Sequence, residues 1–243
     1  MLPVVFVPGM LCDADLWSSV QARLDVPVID AEVNASSIGG MAEQVLASVD
    51  GRFVLAGLSL GAIVGFEVLR RAPQRIAGFC AISTNAGAPS VGQYQAWRAM
   101  ANRTARGEFT ALVRDTILPT MFASAAPPPH RAERFLAMAH RVGPRAFRAQ
   151  LTAQASRVDA VPSLRAVRCP TLVISGQSDA LCPPSFHHTI AESIRGSHLE
   201  SLPGAGHLCT WERPDAVATV LRDWLPATIP TDTTTLELTC PLH

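Results

Sequence analysis

Arg52-Phe53-Val54-Leu55-Ala56-Gly57-Leu58-Ser59-Leu60-Gly61-Ala62-Ile63-Val64-Gly65-Phe66-Glu67-Val68-Leu69-Arg70-Arg71 is the stretch that decides how the remaining sequence is read. Phe53–Leu58 is an apolar run of strand length. Gly57-Leu58-Ser59-Leu60-Gly61 follows the pattern G-x-S-x-G, which between a strand and a helix holds a serine at the tip of a sharp turn. In such a turn the backbone passes too close for a Cβ on either side, and Gly57 and Gly61 carry none. Gly61, Ala62 and Gly65 then let the following helix pack closely on a sheet, Arg70 and Arg71 suit its C-terminus, and Pro73 stops it. The N-terminus of that helix points at Ser59 and favours negative charge developing there. A pattern with three fixed positions occurs by chance in many chains, so its weight comes from the strand before it and the helix after it.

The same rhythm extends outward. Leu2-Pro3-Val4-Val5-Phe6-Val7 is a continuous apolar run, as in a central parallel strand buried on both faces, and it ends in the loop Pro8-Gly9-Met10-Leu11. Asp13 and Asp15 open a helix carrying Leu16, Trp17, Val20 and Leu24. Residues 26–30 read as a second strand, Ser36 or Ser37 as the cap of a helix through Met41 and Val45, and residues 76–83 as a fourth strand. Beyond residue 160 the rhythm resumes. A strand at 170–176 ends in Gly176-Gln177-Ser178-Asp179, and a helix near 186–194 follows Pro183-Pro184. A strand at His198–Leu202 leads to Pro203-Gly204-Ala205-Gly206-His207, with a helix at 214–225 after it. This alternation predicts an α/β fold, a mostly parallel sheet with helices on both faces and a site at the carboxyl ends of its strands. Met10, Ser59, Asp179 and His207 all fall at that end.

Between residues 91 and 160 there are helical patterns and no strand. The spacing predicts helices at 93–106, through Phe109, Leu112, Val113 and Ile117, around Phe135 and Met138, and around Phe147 and Leu151 after Pro144. An all-helical insertion in a parallel sheet reads as a cap, or lid. It holds ten arginines against four carboxylates, a surplus of six, and the rest of the chain is correspondingly six negative. The expected organisation is a core of residues 1–90 and 161–227, a cap of 91–160 and a Thr/Pro-rich tail of 228–243. That tail reads as loose, with 235–239 alternating enough for a short edge strand.

Composition bounds the function. A chain of 243 residues that is 48% apolar suffices for one well-buried core. Net charge is zero, which argues against nucleic-acid or anionic-membrane partners. All twenty basic residues are arginine, so lysine Schiff-base chemistry and a Walker A loop are excluded. Cys12, Cys80, Cys169, Cys182, Cys209 and Cys240 show neither a C-x-x-C pair nor zinc spacing, so no metal is expected, and no cofactor either. No signal-peptide pattern and no membrane-length apolar run is seen, and the expected setting is cytoplasmic with free thiols.

Taken together, the 57–61, 176–179 and 204–207 stretches and the Pro8-Gly9 loop resemble the α/β-hydrolase family. The resemblance covers the chain except its tail, and the order serine, acid, histidine is that fold's usual order. Two features depart from it. The family usually has an antiparallel hairpin before the first parallel strand, and here there is none. Its first loop usually reads His-Gly, where this chain has Pro8-Gly9.

The residues support the same assignment. A serine hydroxyl is a weak nucleophile and needs a base within reach, itself oriented by a partner. Among seven histidines, only His207 sits in a Gly-rich loop after a strand at the Ser59 end. His130 and His140 fall in the cap, His187 and His188 within a helix, His198 in or beside a strand and His243 in the tail. Asp179 occupies the matching loop, although alone it reads equally as a turn aspartate. The expected catalytic residues are Ser59, His207 and Asp179, with the backbone N–H groups of Met10 and Leu60 as an oxyanion hole. Cys12, Cys182 and Cys209 lie near these loops and read as small apolar residues. Leu11, Met121, Phe122 and Leu181 are candidates for an acyl pocket.

The resemblance implies a serine hydrolase that cleaves a carboxylic ester, lactone or thioester through an acyl-enzyme, working as monomer or homodimer. Because the fold hosts many chemistries on one triad, a slow-turnover ligand sensor and a lyase using His207 as base stand beside it. The cap arginines suit an anionic or carrier-bound substrate, while their plain role is solvated helix surface or pairing with the acidic core.

Overall fold

The computed structural model describes residues 2–228, so the expected tail strand at 235–239 lies outside the described residues. Six strands form one sheet: β1 Val4–Val7, β2 Val28–Asp30, β3 Phe53–Leu58, β4 Ile76–Ile82, β5 Thr171–Gly176 and β6 His198–Leu202. Their spatial order is β2-β1-β3-β4-β5-β6 and every pairing is parallel. Side chains leave a strand alternately on its two faces, and here both faces are covered. Val4 and Phe6 join Val54, Ala56 and Leu58 in one apolar cluster. Val5 and Val7 join Phe53 and Leu55 in the other. That is why these strands read as unbroken apolar runs. Each large side chain so buried contributes about 1.5–3 kcal/mol.

Helices α1 (Asp15–Gln21), α2 (Ile38–Ala47) and α3 (Leu60–Arg71) connect the first four strands. Ser37, rather than Ser36, caps α2: its hydroxyl accepts from Gly40 N at 3.1 Å. The connection from β4 to β5 carries only helices. These are α4 (Val91–Ala105), α5 (Phe109–Leu112), α6 (Pro129–Ser156) and α7 (Val161–Leu164). A capping box of Ser90 and Gln93 opens α4, and one wide π turn, Val113–Ile117, extends α5. Helix α6 has two arms meeting at Gly143 (φ 77°), because Pro144 forces the residue before it out of helical geometry.

The insert does not stand apart from the sheet. Its Phe109, Leu112, Phe135, Met138 and Phe147 share one cluster with Phe6 and Trp17. Ion pairs tie its α6 to α1 and to the turn before it: Arg134 to Asp15 at 2.6 Å and Arg141 to Asp13 at 2.7 Å. Arg134 also lies 4.3 Å over the Trp211 ring. After β5 come α8 (Pro184–Ser193), and after β6 α9 (Cys209–Glu212) and α10 (Pro214–Trp224). Among the described residues the cysteines are free, and no helix is long and apolar enough to cross a membrane.

Candidate active site

Ser59 occupies the turn between β3 and α3 with φ 56° and ψ −114°. Few residues with a Cβ adopt that conformation, which costs about 1–3 kcal/mol unless its surroundings impose it. Here they do. Ser59 N donates to Ile82 O at 2.9 Å, and Ser59 O accepts from Ala62 N, Ile63 N and the Thr84 hydroxyl. The two motif glycines are a steric necessity. A Cβ on Gly57 would stand 2.5 Å from Ala62 N, and one on Gly61 would collide with the Val7 carbonyl.

Asp179 and His207 lie in the loops after β5 and β6. Backbone bonds Gln177 N to Leu202 O (3.0 Å) and Ser178 N to Ala205 O (2.9 Å) join those loops. His207 Nδ1–H donates to Asp179 Oδ2 at 2.9 Å, which leaves Nε2 as the basic nitrogen. Asp179 Oδ1 accepts from Leu181 N and Cys182 N, both at 2.9 Å. Both side chains are buried. Burial works against the charge on Asp179, but the His207 charge and these hydrogen bonds outweigh it and hold its pKa below the ordinary value. Burial likewise works against an imidazolium at His207, and the Asp179 carboxylate outweighs it, so the His207 pKa stands above its usual 6.5. The hydrogen bonds of His207 run to Asp179 and not to Ser59, whose side is half-exposed at the same end of the sheet. Such contacts tighten when substrate binds.

Met10 N and Leu60 N are the two amides expected to form an oxyanion hole. Among the described residues neither Met10 N nor Leu60 N has an intramolecular acceptor. The next residue, Leu11, takes φ 63° and donates its N–H to Gln150 Oε1 at 3.0 Å, a buried bond from the insert. The Cys12 thiol donates to Met10 O at 3.5 Å. Thus the loop that carries Met10 is held from above by α6 and from below by its own chain.

His187 supplies support that its helical sequence context hides. It is fully buried, and its Nε2 accepts from Thr84 N at 2.9 Å. Thr84 in turn holds the Ser59 carbonyl. Burial pushes the His187 pKa down to about 4, so it stands neutral, as an acceptor must. A signal existed only in retrospect: helix α8 buries just two residues, His187 and Ile190, at helical spacing.

Of the residues expected to line a pocket, Leu11, Met121 and Phe122 are buried, and Leu181 is 41% exposed. Phe122 packs on Phe135 and Trp211, and Met121 O accepts from Leu208 N at 2.9 Å, so that segment lies against the His207 loop. A cavity of about 560 Å³ opens between α6 and the ends of β1 and β2, lined by Pro8, Cys12, Asp13, Arg141 and Gln150 among others. None of Ser59, Asp179 and His207 lines it. Asp179, Cys182 and His207 place ligand-type atoms within 4.8 Å of one another. Both Asp179 oxygens are already engaged by hydrogen bonds, so this set fits an oriented base better than a metal cage.

Comparison with known proteins bears on the fold and the family. A family model described as "Alpha/beta hydrolase family" matches residues 4–220. The protein named "Putative carbamate hydrolase RutD" from Klebsiella pneumoniae is 28% identical over 81% of this chain and 74% of its own. A thermophilic esterase from Thermogutta terrifontis, solved with malate bound, superposes with a TM-score of 0.87. It is 29% identical and covers 94% of this chain and 90% of its own. A hydrolase from Pseudomonas aeruginosa gives a TM-score of 0.82 at 25% identity, covering 92% and 89%.

Proposed function

The chain belongs to the α/β hydrolase family, and from that premise we propose that this hydrolase cleaves an ester-type bond through an acyl-enzyme on Ser59. The observation that carries the reading is the buried 2.9 Å bond between Asp179 and His207 at the strand ends where Ser59 turns. His207 Nε2 takes the Ser59 proton as its oxygen attacks the carbonyl carbon. The amides of Met10 and Leu60 receive the oxyanion. The leaving alcohol departs with the proton from His207, and water, activated by the same base, releases the acid and restores Ser59. Asp179 keeps the imidazole in one tautomer and stabilises its cation. The helical insert acts as a lid over the serine. The substrate is a small carboxylic ester, lactone or thioester. The relatives' names add two cues, a carbamate carbonyl and an esterase that binds the dicarboxylate malate. Among the described residues five cysteines are free, which suits a cytoplasmic setting.

A panel of esters, lactones, thioesters and carbamates, run with Ser59→Ala as control, tests the reading. The expected loss in the variant is more than about 10⁴-fold with the melting temperature kept. Hydrolysis within tenfold of wild type would sink it.

A further inference from the structure

Helix α9 starts two residues after His207 and ends on Glu212. Its far side is anchored: the Trp211 ring N–H donates to Asp15 O at 3.1 Å, and Arg134 lies over the ring. From there the half-buried Glu212 carboxylate reaches back toward the base. Its Oε2 accepts from Gly206 N at 2.6 Å. Its Oε1 accepts from Ala123 N at 3.0 Å, from a residue 89 positions away in the chain. An ionised carboxylate offers two acceptor oxygens and no donor, so it can satisfy two N–H groups at once, where a glutamine offers one oxygen. Bonds to a charged acceptor are also the stronger kind.

What Glu212 grips is the peptide unit that leads into His207. The Ala205–Gly206 peptide is trans, so its C=O and N–H point in opposite directions. The carbonyl accepts from Ser178 N at 2.9 Å, in the loop that carries Asp179. The N–H goes to Glu212. One peptide plane is thus held at both ends, by the acid loop on one side and by Glu212 on the other. Gly206 has no side chain with which to anchor itself, and its backbone is the most permissive of any residue. A side chain cannot take over the task. A Cβ on Gly206 would stand 2.3 Å from Ala123 N, and one on Gly176 would stand 2.4 Å from Gly206 O. Turning that plane would swing His207, whose bond to Asp179 is 2.9 Å long. The insert shares the grip, through Ala123 N to Glu212 and through Leu208 N to Met121 O at 2.9 Å.

We propose that Glu212 is a positioning residue for the base. By fixing the peptide before His207 against the insert, it holds the imidazole in register with Asp179 and with Ser59. The proposal rests on the acyl-transfer reading and adds a residue to it that does not touch the reacting atoms.

The test is steady-state hydrolysis of p-nitrophenyl acetate by wild type, Glu212→Ala and Glu212→Gln, with active sites counted by the burst and folding checked by urea unfolding. In Glu212→Ala, kcat and kcat/KM should fall together by about 10- to 100-fold, the size expected when a reacting group is misplaced, with KM little changed. Glu212→Gln, which keeps one acceptor oxygen, should fall between that variant and wild type. The low-field proton resonance of His207 Nδ1–H should shift in Glu212→Ala, because it reports the bond to Asp179. A kcat for Glu212→Ala within about threefold of wild type overturns the proposal, and so does a loss that falls on KM with the resonance unmoved. If both variants misfold, an ester in place of the Ala205–Gly206 amide removes the same donor. The same loss in kcat there supports the proposal, and a wild-type kcat overturns it. If wild type does not hydrolyse the ester, the resonance decides: a shift in Glu212→Ala supports the proposal, and none overturns it. Ser59→Ala separates the two ideas, because turnover retained there defeats the acyl-enzyme whatever Glu212 does.

Discussion

Asp179→Asn probes the base directly. Leu181 N and Cys182 N both donate to Oδ1, so the new side chain keeps its amide oxygen there and turns its NH₂ toward His207. His207 Nδ1 must then accept, and Nε2 carries the hydrogen. That tautomer cannot take the Ser59 proton. The expected loss in kcat is about 10⁴-fold, or ~5.5 kcal/mol of barrier. The pH profile should move as well. In wild type the free base appears only above a pKa that Asp179 has raised beyond 6.5, so the rising limb of kcat/KM lies above that pH. In the variant the carboxylate no longer opposes burial at His207, and the limb moves down. Stability follows with a definite sign. The raised His207 pKa contributes stability that is full below 6.5 and lost as pH rises through its folded value. The lowered Asp179 pKa contributes stability present above 3.8 and lost as pH falls through its folded value. The difference between wild type and variant should therefore be largest between those limits and shrink on the alkaline side. Ester kinetics and urea unfolding from pH 4 to pH 9 read all three. A variant kcat within about tenfold of wild type, or an unmoved limb, would refute the reasoning.

Two further outcomes follow from the supporting shell. Gln150→Leu removes the acceptor for Leu11 N beside Met10, and kcat should fall about 10- to 100-fold with KM little changed, as measured in single-turnover experiments. His187→Leu strands the buried Thr84 N–H and should cost about 1–3 kcal/mol in urea unfolding. Because the His187 pKa is depressed to about 4, wild type should lose stability as pH falls from 6.5 toward 4, where only the unfolded chain takes up that proton. The variant should lack that component of the slope.

The fold was readable in the sequence because its strands are buried on both faces, so their apolar runs survive without help from distant residues. All six strands and the longer helices between them follow from local periodicity and turn chemistry, whereas the four-residue helices α7 and α9 are too short to show a period. Ser59, Asp179 and His207 were likewise marked by loops at strand ends, since glycine has to stand where backbones touch. What the sequence hid depends on distant partners. Gln150 meets Leu11 across 139 residues, and His187 meets Thr84 across 103. Neither carries a local pattern that separates it from a surface residue. The insert reads as a cap from its lack of strands, but nothing local announces that its Phe109, Phe135 and Phe147 join the cluster of Phe6 and Trp17.

The central claim is that Ser59 carries the acyl group. Peptide mass spectrometry of the enzyme, acid-quenched during steady turnover of an activated ester, tests it most directly. The acyl adduct is expected on the peptide containing Ser59 and on no other. Turnover that proceeds with the adduct on a different residue, or with none at all, would contradict the account.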